Sequence, residues 1–130
     1  MRLHQMPDNK RQTARILIVE DEPVLALTLE EELIDAGFAI AGVAGQLDKA
    51  LALVESGVCD VAIVDANLVG VSASPVAIAL AARGLPYIVM SGYSPDQLRG
   101  EYPRGFFLSK PCRPELLLET LNSILLGGQN

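Results

Sequence analysis

Only two cysteines, Cys59 and Cys112, occur in the chain. They are too few and too far apart for a disulfide framework or a metal site, so both read as reduced thiols. No apolar run approaches the roughly 18 residues that a membrane-spanning helix needs. The first residues are polar and lack the apolar core of a signal peptide, which points to a cytoplasmic protein. Positive charge is scarce: 10 Lys and Arg stand against 16 Asp and Glu, for a net charge of −6. Four of the basic residues, Arg2, Lys10, Arg11 and Arg15, precede position 16 with only Asp8 against them. The acidic remainder argues against nucleic acid, whose phosphates need a positive surface. Residues 1–14 are therefore expected to be a disordered basic arm, residues 15–126 one folded domain and residues 127–130 a flexible tail.

What is present is apolar material in short blocks. Half of the 130 residues are hydrophobic, enough for the core of one ordinary domain. The block Val61-Ala62-Ile63-Val64 has no polar alternation and stops at Asp65, which predicts a strand buried on both faces whose end carries a carboxylate into solvent. Strands are also expected at 15–19, 39–44, 86–90 and 106–109. Helices are expected at 23–36, 47–55, 74–83 and 114–126, where Pro23, Gly37, Gly57 and Gly84 supply start and stop signals. On the first helix Leu25, Leu29, Leu33 and Ala36 share one face, and on the last Leu117, Leu118, Leu121, Ile124 and Leu125 form the core-facing arc. Leu27, Ile34, Leu116 and Leu126 lie off those faces and are expected to pack against neighbouring helices. The alternative is a homodimer or kinase-docking surface, leaving the chain a monomer or a weak homodimer.

Repeated strand–helix units predict an α/β fold, a doubly wound five-stranded parallel sheet of order 2-1-3-4-5, flavodoxin-like in topology. Ligands in such folds bind at the C-terminal strand edge. At that edge the first strand delivers Glu20, Asp21 and Glu22, the third Asp65, the fourth Ser91 and Gly92, and the fifth Lys110 and Pro111. Each group alone has a plain explanation: helix-start acids, turn residues or loop residues. Four coincidences at consecutive strand ends favour a shared site. Acids at the switch point suit a hard cation such as Mg²⁺. A hydroxyl and an ammonium beside them suit an anion, and together these groups describe phosphoryl transfer onto Asp65.

This arrangement resembles the receiver domain of bacterial two-component response regulators over residues 15–126. The resemblance implies that Asp65 accepts a phosphoryl group from a histidine kinase or phosphotransfer protein, with a downstream protein partner possible. It implies Mg²⁺, or Mn²⁺, held by Asp21 and Asp65, by Glu20 through water and by the backbone carbonyl of Asn67. Ser91 and Lys110 would follow the phosphoryl group, and the Lys110–Pro111 bond would be cis. Phe107 takes the position of the switch aromatic but has no hydroxyl. Asn67 and Tyr93 would flank the approach of water to the phosphoryl group, with Gly92 leaving the loop free to move.

Two departures stand out. Asp65-Ala66-Asn67-Leu68 replaces the usual Met-Pro sequence after the acceptor. The fourth strand is similar to a stand-alone subgroup with a Pro-Phe-x-Phe-Ala-Thr-Gly signature, with Tyr87, Val89, Met90 and Ser91 in place of Phe, Phe, Ala and Thr. The interval between Ser91 and Lys110 also leaves room for only a short fourth helix, at about 95–101. Two competing classes are a flavodoxin-like cofactor binder and a metal-dependent aspartyl-phosphate phosphatase. Acids in the first loop would repel the binder's phosphate, and Asn67 stands where the phosphatase needs a second acid.

Overall fold

The computed structural model describes residues 14–127. Expectations for the basic arm and for the last three residues fall outside them. Five parallel strands form the sheet: β1 (Arg15–Val19), β2 (Ala39–Ala44), β3 (Val61–Asp65), β6 (Tyr87–Ser91) and β7 (Phe106–Ser109). Their spatial order is β2-β1-β3-β6-β7, the expected doubly wound arrangement. Helices α1 (Pro23–Asp35), α2 (Leu47–Glu55), α3 (Ser74–Ala82), α4 (Pro95–Leu98) and α5 (Pro114–Leu125) complete the alternation. Among the described residues, no helix is long and apolar enough to cross a membrane.

Alternation along each central strand divides the interior into two cores. Leu17, Val19, Ala62, Val64, Tyr87 and Val89 face α2 and α3, where they meet Ala50, Val54, Val76, Ala77 and Leu80. Ile16, Ile18, Val61, Ile63, Ile88 and Met90 face α1 and α5, where they meet Leu33, Leu117, Leu121, Ile124 and Leu125. β3 is buried along its whole length, as its unbroken apolar run requires.

The structure corrects several details. β6 begins at Tyr87 rather than at Pro86, which has no N–H for the ladder and contributes only its carbonyl, to Ala62 N at 3.2 Å. Helix α4 ends at Leu98, short of residue 101. Gly100 and Pro103 just beyond it are poor helix residues. An additional antiparallel hairpin, β4 (Asn67–Leu68) with β5 (Val71–Ser72), follows β3 directly.

Leu25 is 43% exposed, so the inward face of α1 is carried by Leu33, with the partly buried Leu29 and Ala36 packed beside it. Leu27, Ile34, Leu116 and Leu126 are exposed at 55%, 53%, 41% and 55%, so among the described residues no neighbouring helix covers them. Leu27→Ser and Leu116→Ser should therefore each change folding stability by less than about 0.5 kcal/mol in urea unfolding. A larger loss that grows with protein concentration would mean that a second copy covers this face.

Candidate functional site

Parallel register brings four strand ends together. Glu20 follows β1 and extends its ladder to β2, donating its N–H to the Ala44 carbonyl at 2.9 Å. The next loop comes so close that a Cβ on Gly45 would sit 3.3 Å from the Asp21 Cα. The three adjacent acids then divide their tasks. Glu22 caps α1, its Oε1 accepting from Val24 N at 2.9 Å and Leu25 N at 3.1 Å. Glu20 and Asp21 turn towards β3 instead, and with Asp65 they offer carboxylate oxygens all within 4.8 Å of one another.

Asp65 is only 8% exposed, more enclosed than a strand end running into solvent was expected to be. Its Oδ1 accepts the Asn67 N–H at 3.1 Å, and its Oδ2 accepts from Lys110 Nζ at 3.2 Å. Lys110 also lies 3.7 Å from Glu20 Oε1. Burial pushes the Glu20 carboxyl above the usual carboxylate range, and neighbouring Asp65 adds to the effect. Burial pulls the Lys110 ammonium down, but Asp65, Glu20 and Asp21 outweigh it and leave Lys110 above the ordinary lysine value. Three carboxylates against one ammonium leave two net negative charges in a small volume. That imbalance, and the all-oxygen donor set, fit a divalent hard cation.

Ser91 is buried at the end of β6, and its Oγ accepts the Tyr93 N–H at 2.9 Å. The Lys110 N–H donates to the Ser91 carbonyl at 2.9 Å, which ties the fourth and fifth strand ends together. The Lys110–Pro111 bond is cis. An open cleft of about 430 Å³ is lined by Asp65, Ala66, Asn67, Ser91, Gly92, Tyr93 and Lys110. Tyr93 is 58% exposed at its rim. A Cβ at Gly92 would meet nothing within 4 Å, so no close approach requires glycine there. Phe107 is not among the cleft residues: it is half-buried on β7, with the Arg99 guanidinium 5.7 Å from its ring centre.

Two participants carried no sequence signal. Val69 and Gly70 form the two-residue loop of the β4–β5 hairpin with φ of 50° and 78°, as a type I′ turn requires. A β-branched residue is strained in that region, and the Val69 N–H donates to Asp21 Oδ2 at 3.1 Å. Tyr102, in the stretch between α4 and β7, is buried at 1% exposure. Its phenol donates to the Ala66 carbonyl at 2.9 Å and lies 3.4 Å from Ser72 Oγ. Burial pushes that phenol above the usual tyrosine range. Nearby, the Tyr87 phenol, pushed up to about 12 by burial, donates to the Pro103 carbonyl.

The family described as the response regulator receiver domain matches residues 16–122. No curated protein matches the chain. SdrG from Sphingomonas melonis Fr1 is 38% identical with a TM-score of 0.74, over 88% of this chain and 98% of that one. The receiver domain of the response regulator PhyR from Erythrobacter litoralis is 27% identical with a TM-score of 0.74, over 91% and 93% of the two chains. A response regulator receiver protein from Sinorhizobium medicae WSM419 is 27% identical with a TM-score of 0.77, over 91% and 98%.

Proposed function

The chain belongs to the response regulator receiver family, a family of signalling domains, and from that premise we propose that Asp65 is its phosphoacceptor. The donor is a phosphohistidine on a histidine kinase or phosphotransfer protein. A carboxylate oxygen of Asp65 attacks phosphorus, the new O–P bond forms as the P–N bond breaks, and the imidazole nitrogen leaves with the electron pair. The observation that carries this reading is the convergence on Asp65. Glu20 and Asp21 bring their carboxylates against it, and Lys110 Nζ lies 3.2 Å from its Oδ2.

Asp21, Asp65 and the Asn67 carbonyl, with Glu20 through water, are the groups that would hold Mg²⁺ or Mn²⁺. When bound, the ion supplies positive charge to the transferring oxygens. Lys110, 3.2 Å from Asp65 Oδ2, contributes a second positive charge. The Ser91 Oγ accepts the Tyr93 N–H, and its own O–H donates to a phosphoryl oxygen. To test the reading, the chain is incubated with a small phosphodonor and Mg²⁺. An acid-stable, base-labile adduct mapped to Asp65 is expected, and an adduct elsewhere would overturn the assignment.

The lifetime of that adduct depends on which groups flank the line of attack by water. Asn67 has no carboxylate to take the water's proton. Tyr93 stands at the rim of the cleft as a bulky screen. Tyr93→Ala should therefore lose its phosphoryl group several-fold faster, a barrier change of about 1 kcal/mol. Release of inorganic phosphate from the purified adduct reads this directly, and an equal or slower rate would leave Tyr93 as a recognition residue.

A further inference from the structure

One peptide unit lies between the Asp65 carboxylate and the Tyr102 phenol. The N–H of the Ala66–Asn67 amide donates to Asp65 Oδ1 at 3.1 Å, and the C=O of the same amide accepts from Tyr102 Oη at 2.9 Å. The amide is planar and rigid, so its two ends cannot reorient independently. Hydrogen bonds at opposite ends of one amide also polarise each other. That geometry gives a change in charge or position at the carboxylate a direct route to the phenol.

Tyr102 carries the link on to α4 through its own backbone, its N–H donating to the Leu98 carbonyl at 3.2 Å. The hairpin braces the same stretch separately: Ser72 Oγ lies 3.4 Å from the phenol and 3.3 Å from Glu101 Oε1, and the Ser74 hydroxyl donates to the Glu101 carbonyl at 2.9 Å. Gly105 lets the Tyr102 backbone pack close to β6. A Cβ there would meet Tyr87 Cε1 at 3.0 Å and the Tyr102 carbonyl oxygen at 3.3 Å. Phe107 has no hydroxyl with which to make such a connection.

We propose that Tyr102 is a positioning residue for Asp65, relaying the state of its carboxylate to residues 95–105 through the single amide Ala66–Asn67. The proposal rests on Asp65 being the reacting group and adds the path by which its state leaves the site. The face that responds is α4, the shortest of the five described helices, and the turn after it.

Tyr102→Phe is the informative variant, because it keeps the buried ring. The Ala66 carbonyl also keeps a partner, the Ala73 N–H at 3.1 Å. Ser72→Ala is the control, since it loosens the same network but leaves the phenol–Ala66 bond intact. Amide NMR shifts of residues 97–102 are followed during a Mg²⁺ titration and again after addition of a small phosphodonor. In the wild type both additions should move these signals. In Tyr102→Phe the movement should fall about fivefold, while the Asn67 signal still responds; Ser72→Ala should behave as wild type. Equal responses in wild type and Tyr102→Phe would overturn the proposal. So would a wild-type response confined to residues 65–72, or a loss as large in Ser72→Ala. The Mg²⁺ arm needs no phosphorylation. A chain that couples through Tyr102 but takes no label refutes only the acceptor reading, and one that labels at Asp65 without the coupling refutes only the relay.

Discussion

Asp65→Asn should reduce phosphoryl incorporation by at least about a hundredfold, equivalent to a barrier increase near 3 kcal/mol. The substitution replaces an anionic oxygen with a neutral amide whose nitrogen lone pair is delocalised, while keeping nearly the same shape. Its carbonyl can still accept the Asn67 N–H, and Lys110 retains Glu20 at 3.7 Å. Removing one of three crowded carboxylates also relieves repulsion, so the fold should be as stable as before within about 1 kcal/mol. Neither neighbour is a ready substitute acceptor. Asp65 lines the cleft through which a donor would approach, and neither Glu20 nor Asp21 does. Labelling with a phosphodonor under Mg²⁺, followed by peptide mapping, measures the effect. Incorporation equal to wild type would remove Asp65 from its assigned role.

The parts legible in the sequence are those with a local physical signature. β3 has one because a strand covered on both faces must be apolar at every position, and Val61 to Val64 are. The site was legible because parallel strands end at one edge, so Glu20, Asp21, Asp65, Ser91 and Lys110 could be brought together from strand ends alone. The first acidic loop does both of the things its sequence allows. Glu22 is a helix cap, and only its two predecessors face β3.

The features without a local signature depend on long-range contacts. Tyr102 is 36 positions from Ala66, and nothing in its neighbours marks it as an inward-facing donor. The β4–β5 hairpin has two residues per strand, too few for any periodicity, and its loop sets Val69 against its own propensity. Exposure of Leu27 and Leu116 was likewise invisible, because helical spacing gives the direction of a side chain but not the reach of the neighbouring helix.

Lys110→Ala should separate three quantities that the wild type keeps together. Phosphoryl transfer should fall about a hundredfold, the loss typical when one preorganised donor to developing charge is removed. Mg²⁺ affinity should not fall with it. A positive charge 3.2 Å from Asp65 Oδ2 opposes a cation on the same carboxylate, so its removal should tighten Mg²⁺ binding several-fold, about 1 kcal/mol after solvent screening. Stability without metal should drop by about 1–3 kcal/mol at neutral pH, discounted because the Lys110 side chain is 30% exposed. That drop should depend on pH. The folded-state value of Glu20 is raised, so its contribution to stability is present below its unfolded value and lost as pH rises through the folded one. Lys110 opposes the rise, and without it Glu20 should move further up. The stability gap between wild type and Lys110→Ala should therefore be small in acid, where Glu20 is protonated, and open as Glu20 ionises. At the alkaline end it should close again, because Lys110 also has a raised value and loses its contribution as pH rises through it. Urea unfolding across pH, with Mg²⁺ titration and labelling on the same samples, reads all three. Weaker Mg²⁺ binding in the variant would show that Lys110 organises the acids rather than opposing the cation. Unchanged labelling would remove it from the transfer step.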